Sequence, residues 1–267
     1  MKKFKKRLAV LPVAAIFVAL LMVVTVNAAP DEGMWTFDNL PVKLLQEKYG
    51  FTPTQEWLDH VRLASVRFMD GGSGSFVSPD GLVMTNHHVG IGQLQKMSTP
   101  EKNLVVTGFY APSYEQEAKC ADLELNVLVY MENVTREITG AVKKGMTDDE
   151  ALKARKAAIA RIEKKSKEKT GLRSNVVDLY HGGEYWLYRY KKYTDIRLVC
   201  APERQAAYFG GDYDNFTYPR YDLDFCFFRV YENGKPIKSE HYFKWNAKGA
   251  AKDELVFVSG NPGSTDR

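Results

Sequence analysis

The 267-residue sequence predicts a mainly β protein with helical insertions, its short strands arranged as a barrel or a sandwich. Three observations predict it. From Gly71 onward short apolar runs alternate with glycine-containing turns. An Asn233-Gly234 pair separates two such runs, and one long stretch after Thr147 has helical periodicity instead.

Residues 1–28 read as a secretory signal peptide: a basic start with Lys2, Lys3, Lys5, Lys6 and Arg7, an uncharged apolar run, and a small-residue exit at Asn27-Ala28-Ala29. Val26 and Ala28 fit the positions before a cleavage site, so the mature chain is expected to begin near Ala29 and to have no stable membrane insertion. An uncleaved anchor is the alternative, because the run approaches the roughly 20 residues that span a bilayer. Pro12 and the small-residue exit count against it. The predicted location is periplasmic, cell-surface or extracellular. Five of the 37 basic residues lie in this segment, leaving 32 against 33 acidic ones, so the high isoelectric point belongs to the export signal. That balance gives no support for nucleic-acid binding. With 12% aromatic and 45% hydrophobic residues, the rest has the composition of a globular protein.

Two short helices are expected next. One starts at Asn39-Leu40-Pro41 and runs to Tyr49, with Gly50 as its stop. The other follows a capping box at Thr52-Pro53-Thr54-Gln55 and places Trp57, Leu58, Val61, Ala64 and Phe68 at helical spacing. Ser75 to Ser78 and Leu82 to Thr85 then form a hairpin, with Gly81 where the turn needs positive φ. Leu123 to Met131, Thr194 to Cys200, Asp224 to Tyr231 and Leu255 to Ser259 are further strand candidates.

Thr147-Asp148-Asp149-Glu150 is a capping box opening a helix that Thr170-Gly171 closes, with Leu152, Ile159 and Ile162 on one face. Glu163/Lys167 and Lys164/Glu168 suit a solvated surface rather than a nucleic-acid face, and the aromatic run Tyr185 to Tyr190 reads as packing. Cys120, Cys200 and Cys226 lack CxxC spacing; an oxidising compartment permits one disulfide among them and leaves an odd thiol, the pairing being open.

The segment richest in chemistry is Gly74-Ser75-Phe76-Val77-Ser78-Pro79-Asp80-Gly81-Leu82-Val83-Met84-Thr85-Asn86-His87-His88-Val89. It delivers a histidine pair to the end of a strand, and imidazole can take a proton from a hydroxyl and return it to a leaving amine near neutral pH. A metal site of His87 and His88 with His181 or His241 is the rival, set aside because adjacent strand residues face opposite sides and no HExxH accompanies them. Neither a metal nor a cofactor is expected.

The second segment is Phe209-Gly210-Gly211-Asp212-Tyr213-Asp214-Asn215-Phe216-Thr217-Tyr218-Pro219-Arg220-Tyr221-Asp222-Leu223-Asp224-Phe225. The histidine run resembles that of trypsin-like peptidases, in which the catalytic histidine closes a Thr-x-x-His stretch, and this selects His88 over His87. Both segments together, with Trp35, Ala201-Pro202-Glu203 and Gly260-Asn261-Pro262-Gly263-Ser264-Thr265, resemble the bacterial dipeptidyl-peptidase 7 and 11 family over essentially all of residues 29–267.

This resemblance implies a chymotrypsin-like double β-barrel with a helical cap, of which the chain would hold the first barrel, a helical insertion near 147–192 and the start of the second, the rest of the second barrel and the cap being largely missing. It implies a serine-type peptidase taking dipeptides from peptides with a free amino terminus. His88 would be the general base and Asp224 the carboxylate orienting it, a division that suits imidazole chemistry. Asp222 is the rival carboxylate, since strand residues i and i+2 share a face. Asn215 would hold the substrate's amino group beside Phe216, which stands where the family usually has tryptophan. Tyr221-Asp222-Leu223 likewise departs from the family's histidine, threonine and glycine.

The nucleophilic serine of the family belongs to the second barrel and is expected beyond residue 267, so this fragment alone should be inactive. Ser73 matches a bare Gly-x-Ser-Gly pattern but precedes His88, and Ser264 lies in a turn the family does not use as nucleophile. A trypsin-like endopeptidase and a non-catalytic exported binding protein are the alternatives, and a homodimer stays open as an assembly.

Overall fold

The computed structural model describes residues 33–69, 71–208 and 221–261, in two units divided between Pro41 and Val42. The first unit contributes Gly33 to Pro41, where Trp35 is exposed. The predicted signal peptide, Asn215, Phe216 and Ser264 lie outside the described residues.

Helix α1, Val42–Tyr49, ends at Gly50, whose φ of 65° permits the left-handed exit. Helix α2, Gln55–Ala64, is capped by Thr54, which accepts from the Trp57 N–H. Thr52 is therefore not the cap, and the helix does not reach Phe68 as its spacing predicts. Ser65–Phe68 is instead β1, since Val66 and Phe68 gain full burial between two neighbouring strands.

Strands β2, Ser73–Phe76, and β3, Leu82–Thr85, make the predicted hairpin, with Gly81 at φ +69°. Helix α3, His87–Met97, starts two residues past β3, and the short α4, Leu104–Thr107, follows. After β4, Phe109–Tyr110, and β5, Ala118–Lys119, comes β6, Leu125–Asn133, shifted two residues from the sequence expectation. Helices α5, Thr135–Thr139, and α6, Asp148–Thr170, precede the hairpin of β7, Arg173–Leu179, and β8, Glu184–Tyr193. Strand β9, Asp195–Ala201, helix α7, Arg204–Tyr208, β10, Cys226–Glu232, and β11, Lys235–Pro236, follow.

Helix α6 has both halves of the predicted capping box and a left-handed Gly171. It buries Ala151, Ala158, Ile162 and Ser166, whereas Leu152 is exposed, so its inward face is narrower and smaller in side chain than the periodicity suggested. Lys164 pairs with Glu168, and Glu163 turns inward to accept from the Val176 N–H on β7.

Every strand pairing among the described residues is antiparallel, and the sheet runs β4-β9-β10-β3-β2-β1-β6-β8-β7, with β11 on β10 and β5 on β9. Val66, Phe76, Val83, Leu125, Leu198 and Phe228, from six different strands, meet in one hydrophobic cluster, which means that the sheet curls around its inner face. The mainly β class with helical insertions is thus what the chain adopts. Tyr185 and Leu187 join a second, smaller cluster under α6, so this stretch packs inward and Tyr185 is not part of an exposed stacking surface.

Leu255 to Ser259 is not a strand. It has no pairing partner among the described residues and is held by side chains: Phe257 packs on Phe51 and Trp57, and Ser259 accepts from the Ser65 hydroxyl. No helix of the described residues is long and apolar enough to cross a membrane.

Candidate active site

The pairing of Thr85 with Cys226 sets the end of β3 beside the start of β10. The residues just after Thr85 therefore face those just before Cys226. Helix α3 can close onto β10 because position 90 is glycine: a Cβ there would lie 2.7 Å from Cys226 Sγ. On that foundation His88 Nδ1 stands 2.7 Å from Asp224 Oδ2, while the His88 backbone N–H donates to Asp224 Oδ1 at 3.0 Å. The Asp224 side chain is 5% exposed and that of His88 52%, so a buried carboxylate presents an open imidazole. Such a hydrogen bond to a charged acceptor is stronger than a neutral one and fixes the ring's orientation.

The histidine pair does not sit on the strand, as the sequence suggested, but in the first turn of α3. Successive helical residues diverge by about 100° rather than alternating across a sheet. His87 consequently turns inward, 2% exposed, and Nε2 has no hydrogen-bond partner among the described residues. Burial pushes the His87 imidazole below its ordinary value, against the pull of the Asp224 charge and of a hydrogen bond to the Pro202 carbonyl.

Asp224 is thus the carboxylate on His88. Among the described residues no group of three or more His, Cys, Asp and Glu is placed to hold a metal, and His241 contacts His60 instead, with their Nδ1 atoms 3.3 Å apart. Ser73 accepts the Asn261 N–H at 2.6 Å and its carbonyl accepts the Thr85 hydroxyl, so it ties the hairpin to the Gly260-Asn261 turn. The three cysteines are all thiols, with Cys120 and Cys226 buried. Burial pushes Cys120 up to about 12 and raises Cys226 and Cys200 as well.

A cavity of about 120 Å³ opens beside the pair, walled by His87, His88, Ile91, Arg204, Ala207, Tyr208 and Asp224. A second, of about 490 Å³, continues along α7 and α4 past Arg204 and Tyr208 to Asn103 and Val106. Glu203 positions this wall by accepting from the Gln205 and Ala206 N–H groups, and the Ala206 carbonyl accepts from Leu223 N–H, pinning the segment that leads into Asp224. Sequence reasoning missed Ile91, Arg204 and Tyr208, because nothing in their local spacing distinguishes them from ordinary helix residues. It also missed Asn86, whose amide donates to Asp224.

The class of the protein follows from comparison with known families: residues 30–267 match the family model described as Peptidase S46, and the chain belongs to that family. Among its relatives are the dipeptidyl-peptidase 7 of Capnocytophaga gingivalis, 33% identical over 89% of this chain and 36% of the relative, and the Asp/Glu-specific dipeptidyl-peptidase of Shewanella putrefaciens, 32% identical over 93% and 38%. The crystal structure of Porphyromonas endodontalis DPP11 in complex with the dipeptide Arg-Glu superposes with a TM-score of 0.69 at 28% identity, over 83% of this chain and 35% of that one. The chain spans little more than a third of the length of these relatives.

Proposed function

We propose that this chain is the part of an exported serine-type dipeptidyl-peptidase that carries the general base and its orienting acid. The observation that carries the reading is the double contact of Asp224 with His88, through both carboxylate oxygens, in a member of a peptidase family. A carboxylate on Nδ1–H selects the tautomer in which Nε2 acts as base, and it stabilises the imidazolium formed when the nucleophile's proton is taken up. That proton is then handed to the leaving amine as the peptide bond breaks. The serine and the backbone donors for the developing oxyanion are supplied in the length that the relatives have beyond this chain. Asn215 captures the substrate's ammonium group and Phe216 packs beside it, which limits cleavage to the second residue. The cavity between α3 and α7 is the adjoining wall of the substrate cleft, and residues 1–28 direct export.

Mass spectrometry of peptide digests made with the full-length protein tests this. Stepwise release of dipeptides from peptides with a free amino terminus, and none from their acetylated counterparts, is the expected result. Internal cleavage of acetylated peptides would replace the exopeptidase reading with an endopeptidase one, and no cleavage at all would leave a binding role.

A further inference from the structure

We propose that Asn86 is a positioning residue for the His88–Asp224 pair, an inference that rests on the peptidase reading above. Asn86 occupies the position before the first residue of α3, with extended φ and ψ of −75° and 151°. Asparagine is favoured there because its side-chain oxygen normally accepts an N–H from the first turn. Here it makes no such bond. Its amide nitrogen points across to β10, donating to the Asp224 carbonyl at 3.1 Å and to Asp224 Oδ2 at 3.2 Å.

The helix start is satisfied in another way. The His88 N–H goes to Asp224 Oδ1, and the N–H groups of Val89 and Gly90 go to the Asn86 carbonyl. Asp224 therefore does the capping that Asn86 gives up, and the two residues have exchanged roles across the β3–β10 junction. Asp224 Oδ2 is shared between the imidazole and the amide, while the second Asn86 bond fixes the main chain of the same residue. Only an N–H donor fits this position, since the amide turned over would set its carbonyl against a carboxylate.

The consequence is mechanical. The imidazole and the His88 N–H hold Asp224 from the helix side, and the amide adds a hold from the β3 end on both its Oδ2 and its main chain; catalytic groups lose rate when displaced by even about 1 Å. The Asp224 side chain is nearly buried although both Asn86 and His88 reach the surface.

Two variants separate positioning from capping. Asn86→Ser is a good helix cap but too short to bridge, and Asn86→Asp keeps size and capping while replacing the donor with a carboxylate facing Asp224. Two readouts are taken for each in the full-length protein: kcat and KM for dipeptide release, and the downfield proton resonance of His88 Nδ1–H. Both variants should melt near the wild-type temperature, lose about 10-fold or more in kcat at little changed KM, and lose or broaden the resonance. Wild-type kcat and an intact resonance in a folded Asn86→Ser variant would overturn the proposal. So would a loss of kcat that tracks a fall in melting temperature with the resonance intact. If the wild-type protein releases no dipeptides, the resonance alone decides: its loss in both variants keeps Asn86 as the positioning residue while the peptidase reading falls.

Discussion

Asp224 holds His88 at two points, its ring through Oδ2 and its backbone N–H through Oδ1. This fork couples the imidazole to the helix that carries it, so ring and main chain move together with the carboxylate. The chemistry proposed for the site depends on that coupling.

In the full-length protein, His88→Ala and Asp224→Asn should both suppress dipeptide release, the histidine loss more severely. Without the ring no group takes the nucleophile's proton, whereas asparagine favours the wrong tautomer, a change that costs about 10⁴ in kcat in the serine-protease template. Steady-state kinetics of the two variants check this, and wild-type turnover by His88→Ala would remove the mechanism.

Asn215→Ala should lower kcat/KM for peptides with a free amino terminus by about 5- to 150-fold, as expected when a buried ammonium loses a charge-assisted partner. Cleavage of acetylated peptides should hardly change. A parallel loss on both substrates would mean that Asn215 only shapes its loop.

His87 should make the fold less stable in acid. Its folded-state affinity for a proton is depressed by burial below the ordinary 6.5, so the unfolded chain takes up a proton first as pH falls. The stabilisation from keeping the ring neutral is complete above about pH 6.5 and is lost progressively as pH drops from there toward the depressed folded value. Melting temperatures measured from pH 7 to 5 should fall more steeply for wild type than for His87→Asn, which does not titrate. Equal slopes would show that His87 protonates without cost.

The cysteines should differ in reactivity. The thiolate is the reacting species, and burial pushes Cys120 up to about 12 and raises Cys226, whereas Cys200 is only half-buried. Iodoacetamide followed by peptide mapping should label Cys200 first in the native protein, with Cys120 and Cys226 modified only on unfolding. Early labelling of Cys120 would contradict its burial in the core cluster.

Phe228 is fully buried and its ring lies 5.7 Å from that of Phe68, joining β10 to β1 across the core. Phe228→Ala should cost about 3–5 kcal/mol of stability in urea unfolding. A cost below about 1 kcal/mol would mean that the core collapses around the gap.

Much of the local structure was legible because it depends on neighbouring residues. Gly81 and Asn233-Gly234 supply positive φ where hairpins turn, and Thr147, Glu150 and Gly171 begin and end α6 by capping chemistry alone. Leu255 to Ser259 was misread because β-rich composition describes a strand only when another backbone lies alongside. The site was legible in part. Histidine and aspartate stood out by residue type and by likeness to a family, while Asn86 did not, since its segment reads as the end of a strand and its partner Asp224 is 138 residues away.

The sequence by itself determined the turns, the capped helix, the mainly β class and the choice of His88 and Asp224 as partners. Tertiary structure alone decided that Ser65 to Phe68 leaves the helix to become a buried strand, that His87 and His88 open a helix, and that Asn86 serves Asp224. The physical reason is the range of the interactions. Caps and turns close within a few residues, whereas His88 and Asp224 are 136 residues apart, and only β3–β10 pairing and the close approach at Gly90 bring them to 2.7 Å.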